Sequence, residues 1–136
     1  MTDILTWVKI AFAGVFGAIS FLFGGFDTVA QILVVMMVID YATGICAAIC
    51  RKDLCSRTGY MGIMKKAAIL CIVACSHLLG KFMGIAEIRS AVIGFYIANE
   101  SISIVENTSD MGVPMPKKLI YILKKFKDME DGENDL

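Results

Sequence analysis

"ILVVMMVIDYATGICAAIC", residues 32–50, holds a single charged side chain, Asp40, in nineteen positions. Extended back to Thr28, the apolar run reaches 23 residues. About 20 residues suffice for a helix to cross the hydrocarbon of a bilayer, at about 1.5 Å of rise per residue. Read as such a helix, the run places a carboxylate near mid-membrane. An ionised group there costs about 2.5–3.5 kcal/mol on insertion scales, so Asp40 needs a partner, water or a proton. The rest of the chain has to supply one of them.

Composition supports a membrane setting. In 136 residues the apolar fraction is 57%, only 19% are charged, and mean hydropathy is +0.72. A soluble bundle this small has too much surface to hide so much apolar area. Lysine plus arginine and aspartate plus glutamate both total 13, so net charge gives no reason to expect a nucleic-acid partner. Cys46, Cys50, Cys55, Cys71 and Cys75 form no CxxC pair and no disulfide framework, so they read as small packing residues rather than metal ligands. The first charge is Asp3 rather than a basic cluster, and no small-x-small cleavage site follows, so the first apolar segment is expected to stay.

Four segments are long enough to be spans: 4–26, 28–50, 67–84 and 88–107. Lys9 interrupts the first, His77 and Lys81 the third, and Asn99 and Glu100 the last. Between the second and third lies "RKDLCSRTGYMGIMKK", with Arg51, Lys52, Arg57, Lys65 and Lys66 against Asp53. Lys117, Lys118, Lys124, Lys125 and Lys127 follow Pro116, whereas the turn "GGFD" has no basic residue. Short loops rich in lysine and arginine stay cytoplasmic, which predicts four crossings with both termini inside. Only Lys81 and Arg89 fall on the other side. The fold expected is therefore an all-α polytopic membrane protein forming one domain.

A tail helix over 116–129 is also expected. Pro116 suits a first helical turn, and Leu119, Ile122, Leu123 and Phe126 share one face opposite the lysines. Such a helix lies on the anionic leaflet of a membrane, or packs on the protein's own loops. The acidic end, 130–136, continues no pattern.

Candidate partners for Asp40 are His77, Lys81, Asn99 and Glu100. The carboxylate either lines a pore or holds subunits together, or it clamps one bundle. Gly14/Ala18, Gly44/Ala48 and Gly80/Gly84 are small-xxx-small pairs that let helix backbones approach in lipid, which favours self-association. No nucleophile, phosphate-binding loop or metal-ligand set accompanies the single His77, so no catalytic residue and no cofactor is expected.

Two stretches resemble the toxin-secretion/phage-lysis holin family. The first is "IDYATG" followed by "SRTGYMGIMKK"; the second is "FYIANESISIVENTSDMGVPMPKKL". In order, the matching positions are Asp40, Thr43 and Gly44; Ser56, Gly59, Gly62, Lys65 and Lys66 in the basic loop; and Asn99, Glu100, Glu106, Asn107, Gly112, Pro114 and Pro116. The resemblance covers roughly residues 28 to 123, and the cysteines are particular to this chain. It implies a homo-oligomer in the bacterial cytoplasmic membrane that opens lesions for a phage endolysin or, in clostridial relatives, a large toxin. Two rivals stand beside it: a small ion channel or proton conductor using Asp40, His77 and Glu100 as a relay, and a passive subunit of a larger machine. Four crossings without a repeat speak against a transporter.

Overall fold

The computed structural model describes residues 2–122 and 125, and four long helices dominate it. They are α1 (Thr2–Phe23), α2 (Thr28–Cys50), α3 (Ser56–Met83) and α4 (Glu87–Asp110). Each is long and apolar enough to cross a membrane. Short connections make the helices alternate in direction. The chain therefore has two ends: one with the α1–α2 and α3–α4 turns, the other with the N-terminus, the α2–α3 turn and the tail.

Local chemistry sets the helix limits. Gly24 and Gly25 adopt φ of +74° and +95°, a region open to glycine, and so end α1 at Phe23 rather than at Phe26. Asp27 caps α2, its carboxylate accepting from the Ala30 amide at 3.3 Å. Gly84, at φ 71°, closes α3, with the Ile85 amide donating to the Gly80 carbonyl at 2.8 Å.

The largest departure from expectation lies at the start of α3. The helix begins at Ser56, eleven residues before the apolar segment at Ala67, so the basic loop contracts to residues 51–55. Hydropathy treated Lys65 and Lys66 as a loop boundary, but lysine is a good helix former and its side chain can turn toward a carboxylate. Gly59 and Gly62 are likewise helical. A Cβ on Gly62 would sit 3.2 Å from the Tyr41 ring, so the missing side chain lets α2 approach α3.

The main packing surface joins α2 to α4. Next, α3 packs on α4, whereas α2 and α3 meet only sparingly, and α1 touches chiefly α3. Leu33, Met37, Ile69, Val73 and Ile93 form the core of the three later helices. None of the apolar span of α1 is buried, and Trp7, Phe12 and Phe16 are open along it. Exposed apolar helix faces are costly in water but match lipid.

The small-residue pairs separate by role. Gly44 packs toward Asn107 and Ala48 is buried, so that pair serves contact within one chain. Gly80 and Gly84 serve the α3 terminus: a Cβ on Gly80 would lie 2.6 Å from the Ile85 carbonyl oxygen. Nothing lies within 4 Å of a Cβ on Gly14. Gly80→Ala is expected to lower the thermal midpoint of the detergent-solubilised chain by an amount equivalent to about 1–3 kcal/mol, the range for overpacking, and Gly14→Ala to leave it unchanged. Equal midpoints for the two variants would defeat this division. The cysteines, read as packing residues, all lie on the surface instead.

Candidate functional site

Three charged side chains from three helices share one level of the bundle. Asp40 lies ten residues before the end of α2 at Cys50, Lys66 ten after the start of α3 at Ser56, and Glu100 ten before the end of α4 at Asp110. At the helical rise, each sits about 15 Å in from the end that carries the tail. The Lys66 ammonium bridges the Asp40 and Glu100 carboxylates, at 2.5 Å from Asp40 Oδ2. Glu100 is buried; Asp40 and Lys66 are partly so. Two carboxylates thus share one ammonium.

Asn107, about two turns further along the same face of α4, extends the network. Its amide nitrogen donates to Asp40 Oδ1 at 3.1 Å, to the Asp40 carbonyl at 3.3 Å and toward Thr43 Oγ1 at 3.2 Å. Thr43 in turn donates to the Ile39 and Asp40 carbonyls. Hydrogen bonds to charged groups are the stronger ones, and this set fixes the facing of α2 on α4.

Around the cluster opens a cleft of about 510 Å³. Residues of α2, α3 and α4 line it, and α2 and α3 meet only sparingly beside it. Asp40, Gly44, Gly59, Gly62, Lys65, Lys66, Asn99, Glu100 and Asn107, all singled out in the sequence, line it. Thr43 stands beside it through Asn107. Ser56 begins α3 outside the cleft, and Glu106 is exposed on α4. Gly112, at φ 82°, turns the chain after α4 toward Pro114 and Pro116. Lys66 was the partner that sequence reading assigned to a loop. Its signal was the common ten-residue register, visible only once α3 begins at Ser56.

His77 and Lys81 do not join Asp40; they sit at the opposite end. A Cβ on Gly24 would collide with the His77 imidazole. The Lys81 ammonium lies 4.8 Å above the Phe21 ring, a cation–π contact. Arg89, buried near the start of α4, holds Asp27 with two bonds of 2.9 Å and also donates to the Phe23 and Gly25 carbonyls at 2.5 and 3.0 Å. The guanidinium keeps the Asp27 carboxyl below its usual range. Both basic residues that broke the charge asymmetry are therefore engaged at this end, where Arg89 ties α4 to the α1–α2 turn.

At the tail end, Arg51 pairs with Asp110, joining the ends of α2 and α4. Pro116 opens a short helix over 117–122, its carbonyl accepting from the Leu119 and Ile120 amides. Lys117, Lys118 and Lys125 are exposed, whereas Lys124 and Lys127 lie outside the described residues. Among the described residues no side chains gather into a set that could hold a metal ion.

Relatives match this sequence over nearly its whole length. An uncharacterized protein of Listeria monocytogenes is 39% identical over 136 residues, spanning 99% of this chain and 94% of its own length. An uncharacterized 14.9 kDa protein of Clostridium perfringens, in the nagH 3' region, is 34% identical over 130 residues, 94% of this chain and 98% of the relative. A probable holin of Bacillus phage phi105 is 27% identical over 132 residues, covering 94% and 92% of the two chains. No solved structure matches. The profile of a family of non-enzymatic membrane proteins matches residues 17–128, which include the whole cleft and the Arg89 clamp, and so this multi-pass chain belongs to the bacteriophage holin family.

Proposed function

We propose that this protein is a working holin: copies accumulate in the bacterial cytoplasmic membrane, associate, and open lesions through which an endolysin or a protein toxin passes. One observation carries the reading. Family membership coincides with an Asp40–Lys66–Glu100 cluster at mid-membrane that opens on a cleft instead of being sealed by packing. Intramembrane charges are retained where they do something, and charges on a cleft can turn to water once helices rearrange. The test is expression of the chain in a bacterium with and without a muralytic enzyme, timing lysis and dye entry. Lysis that needs both proteins is expected. Ion leakage with no release of enzyme would favour a small channel instead. A relay of Asp40, His77 and Glu100 has no support, since His77 lies at the far end.

The orientation proposed places both termini and Cys55 in the cytoplasm, following the basic residues of the 51–66 stretch and the tail. Cys55 is exposed before α3, and the Thr58 hydroxyl 2.9 Å from its sulfur lowers the thiol below its usual range. In a variant keeping Cys55 alone, an impermeant maleimide is expected to leave intact cells unlabelled and to react after permeabilisation. Because thiolate is the reactive form, labelling at neutral pH should slow when Thr58 becomes valine. Labelling of intact cells before any lesion opens would reverse the orientation.

A further inference from the structure

We propose that the Asp40–Lys66–Glu100 cluster is completed by Lys9 from a second copy of this chain, with α1 of one copy lying along the groove between α2 and α3 of the next. The inference rests on the assembly proposed above and names its contact.

Charge is the first argument. Two carboxylates share the Lys66 ammonium, so with both ionised one negative charge is left over inside a partly buried site. Lys65, at the mouth of the cleft, is exposed and pairs with neither carboxylate. Lys9 is the single basic residue of α1; it is exposed, and no ion pair holds it among the described residues. An ammonium in a span and a surplus carboxylate in a groove are complementary.

Depth is the second. Counted from the turn-bearing end, Lys9 lies fourteen residues from Phe23, Asp40 twelve from Thr28, and Glu100 thirteen from Glu87. These are about 21, 18 and 20 Å along the helices. Copies inserted in one orientation share their depth, so Lys9 of each faces the cluster level of its neighbour.

Accessibility is the third. In its own chain α1 contributes no residue to the cleft and buries none of its apolar span. The groove stays open because α2 and α3 meet only sparingly, and no side chain of the same copy's α1 fills it. Lys9 could instead extend to the headgroups, and the experiment separates the two arrangements.

Equal amounts of unlabelled and nitrogen-15-labelled chain, reconstituted together in phospholipid vesicles, would be treated with a bilayer-soluble carbodiimide. The reagent joins an amine to a carboxylate it touches, with loss of water. Mass spectrometry of the digest is expected to find Lys9 joined to Asp40 or Glu100 in mixed-isotope pairs, beside the Lys66 link within one copy. In parallel, co-purification of two differently tagged copies should fall roughly three- to tenfold for Lys9→Gln, as for interhelical polar contacts in membranes, and persist for Lys9→Arg. Lys9 links confined to one isotope, no Lys9 links, or Lys9→Gln copies that associate like wild type would overturn the contact while leaving assembly standing. Failure of wild-type copies to co-purify would overturn the assembly as well.

Discussion

Lys66→Met is expected to be the most damaging single change in the chain. It leaves the Asp40 and Glu100 carboxylates facing one another with no cation between them, in a setting where Glu100 is 2% exposed. Removing one partner from a buried ion pair typically costs about 3–5 kcal/mol, because the remaining charge keeps its desolvation and loses its attraction. The cleft admits water on one side, so the lower part of that range applies. Thermal unfolding in detergent, with membrane abundance by blot, is the measurement. Lys66→Arg keeps the charge and should lose much less. The informative comparison is Lys66→Met with Glu100→Gln, which leaves one carboxylate still held by Asn107 and should regain most of the lost midpoint. Contacting residues are non-additive in this way, whereas independent ones are not. A Lys66→Met chain as stable as wild type, or one that Glu100→Gln worsens further, would break the account of the cluster.

The sequence made the spans legible because apolar length is a bilayer's own criterion. Residues 28–50 and the all-helical, four-span architecture follow from hydropathy and charge asymmetry, and α2 has those limits. Where water, glycine and lysine enter, hydropathy loses its meaning. Lys65 and Lys66 looked like the edge of a loop, yet α3 runs eleven residues further back and carries Lys66 inward. The same boundary hides the answer to Asp40, since a lysine placed on a loop is no candidate for an intramembrane partner. Glu100, one of the candidates that the sequence offers beside Asp40, shares the Lys66 ammonium with it. The positions carried over by resemblance meet in space where spacing along the chain could not join them. Nine of its positions, drawn from three separated stretches, line one cleft. Arg89 was missed because its partners are the Asp27 cap and two backbone carbonyls of a glycine turn, which no periodicity reveals.

For Asp40→Leu the expected outcome is a chain that folds and inserts at least as well as wild type but fails to lyse. Leucine removes an intramembrane charge worth about 2.5–3.5 kcal/mol on insertion scales. What remains is balanced: Lys66 and Glu100 form a one-to-one pair, and Asn107 still reaches the residue 40 carbonyl and Thr43 Oγ1. Nothing in the fold therefore depends on the carboxylate as it depends on Lys66. The surplus negative charge is lost, however, and with it the attraction offered to Lys9 of a neighbour and the group that would face water in a lesion. Asp40→Asn should fall between, because an amide can still accept from Asn107 and bridge helices, typically for under about 2 kcal/mol. Membrane level by blot and dye entry in the same culture separate the possibilities. A clamp within one monomer would show as reduced abundance of the leucine variant with unchanged permeability per molecule. Wild-type lysis by that variant at wild-type abundance would remove Asp40 from the mechanism, because the residue would then be neither needed for the fold nor used by the assembly.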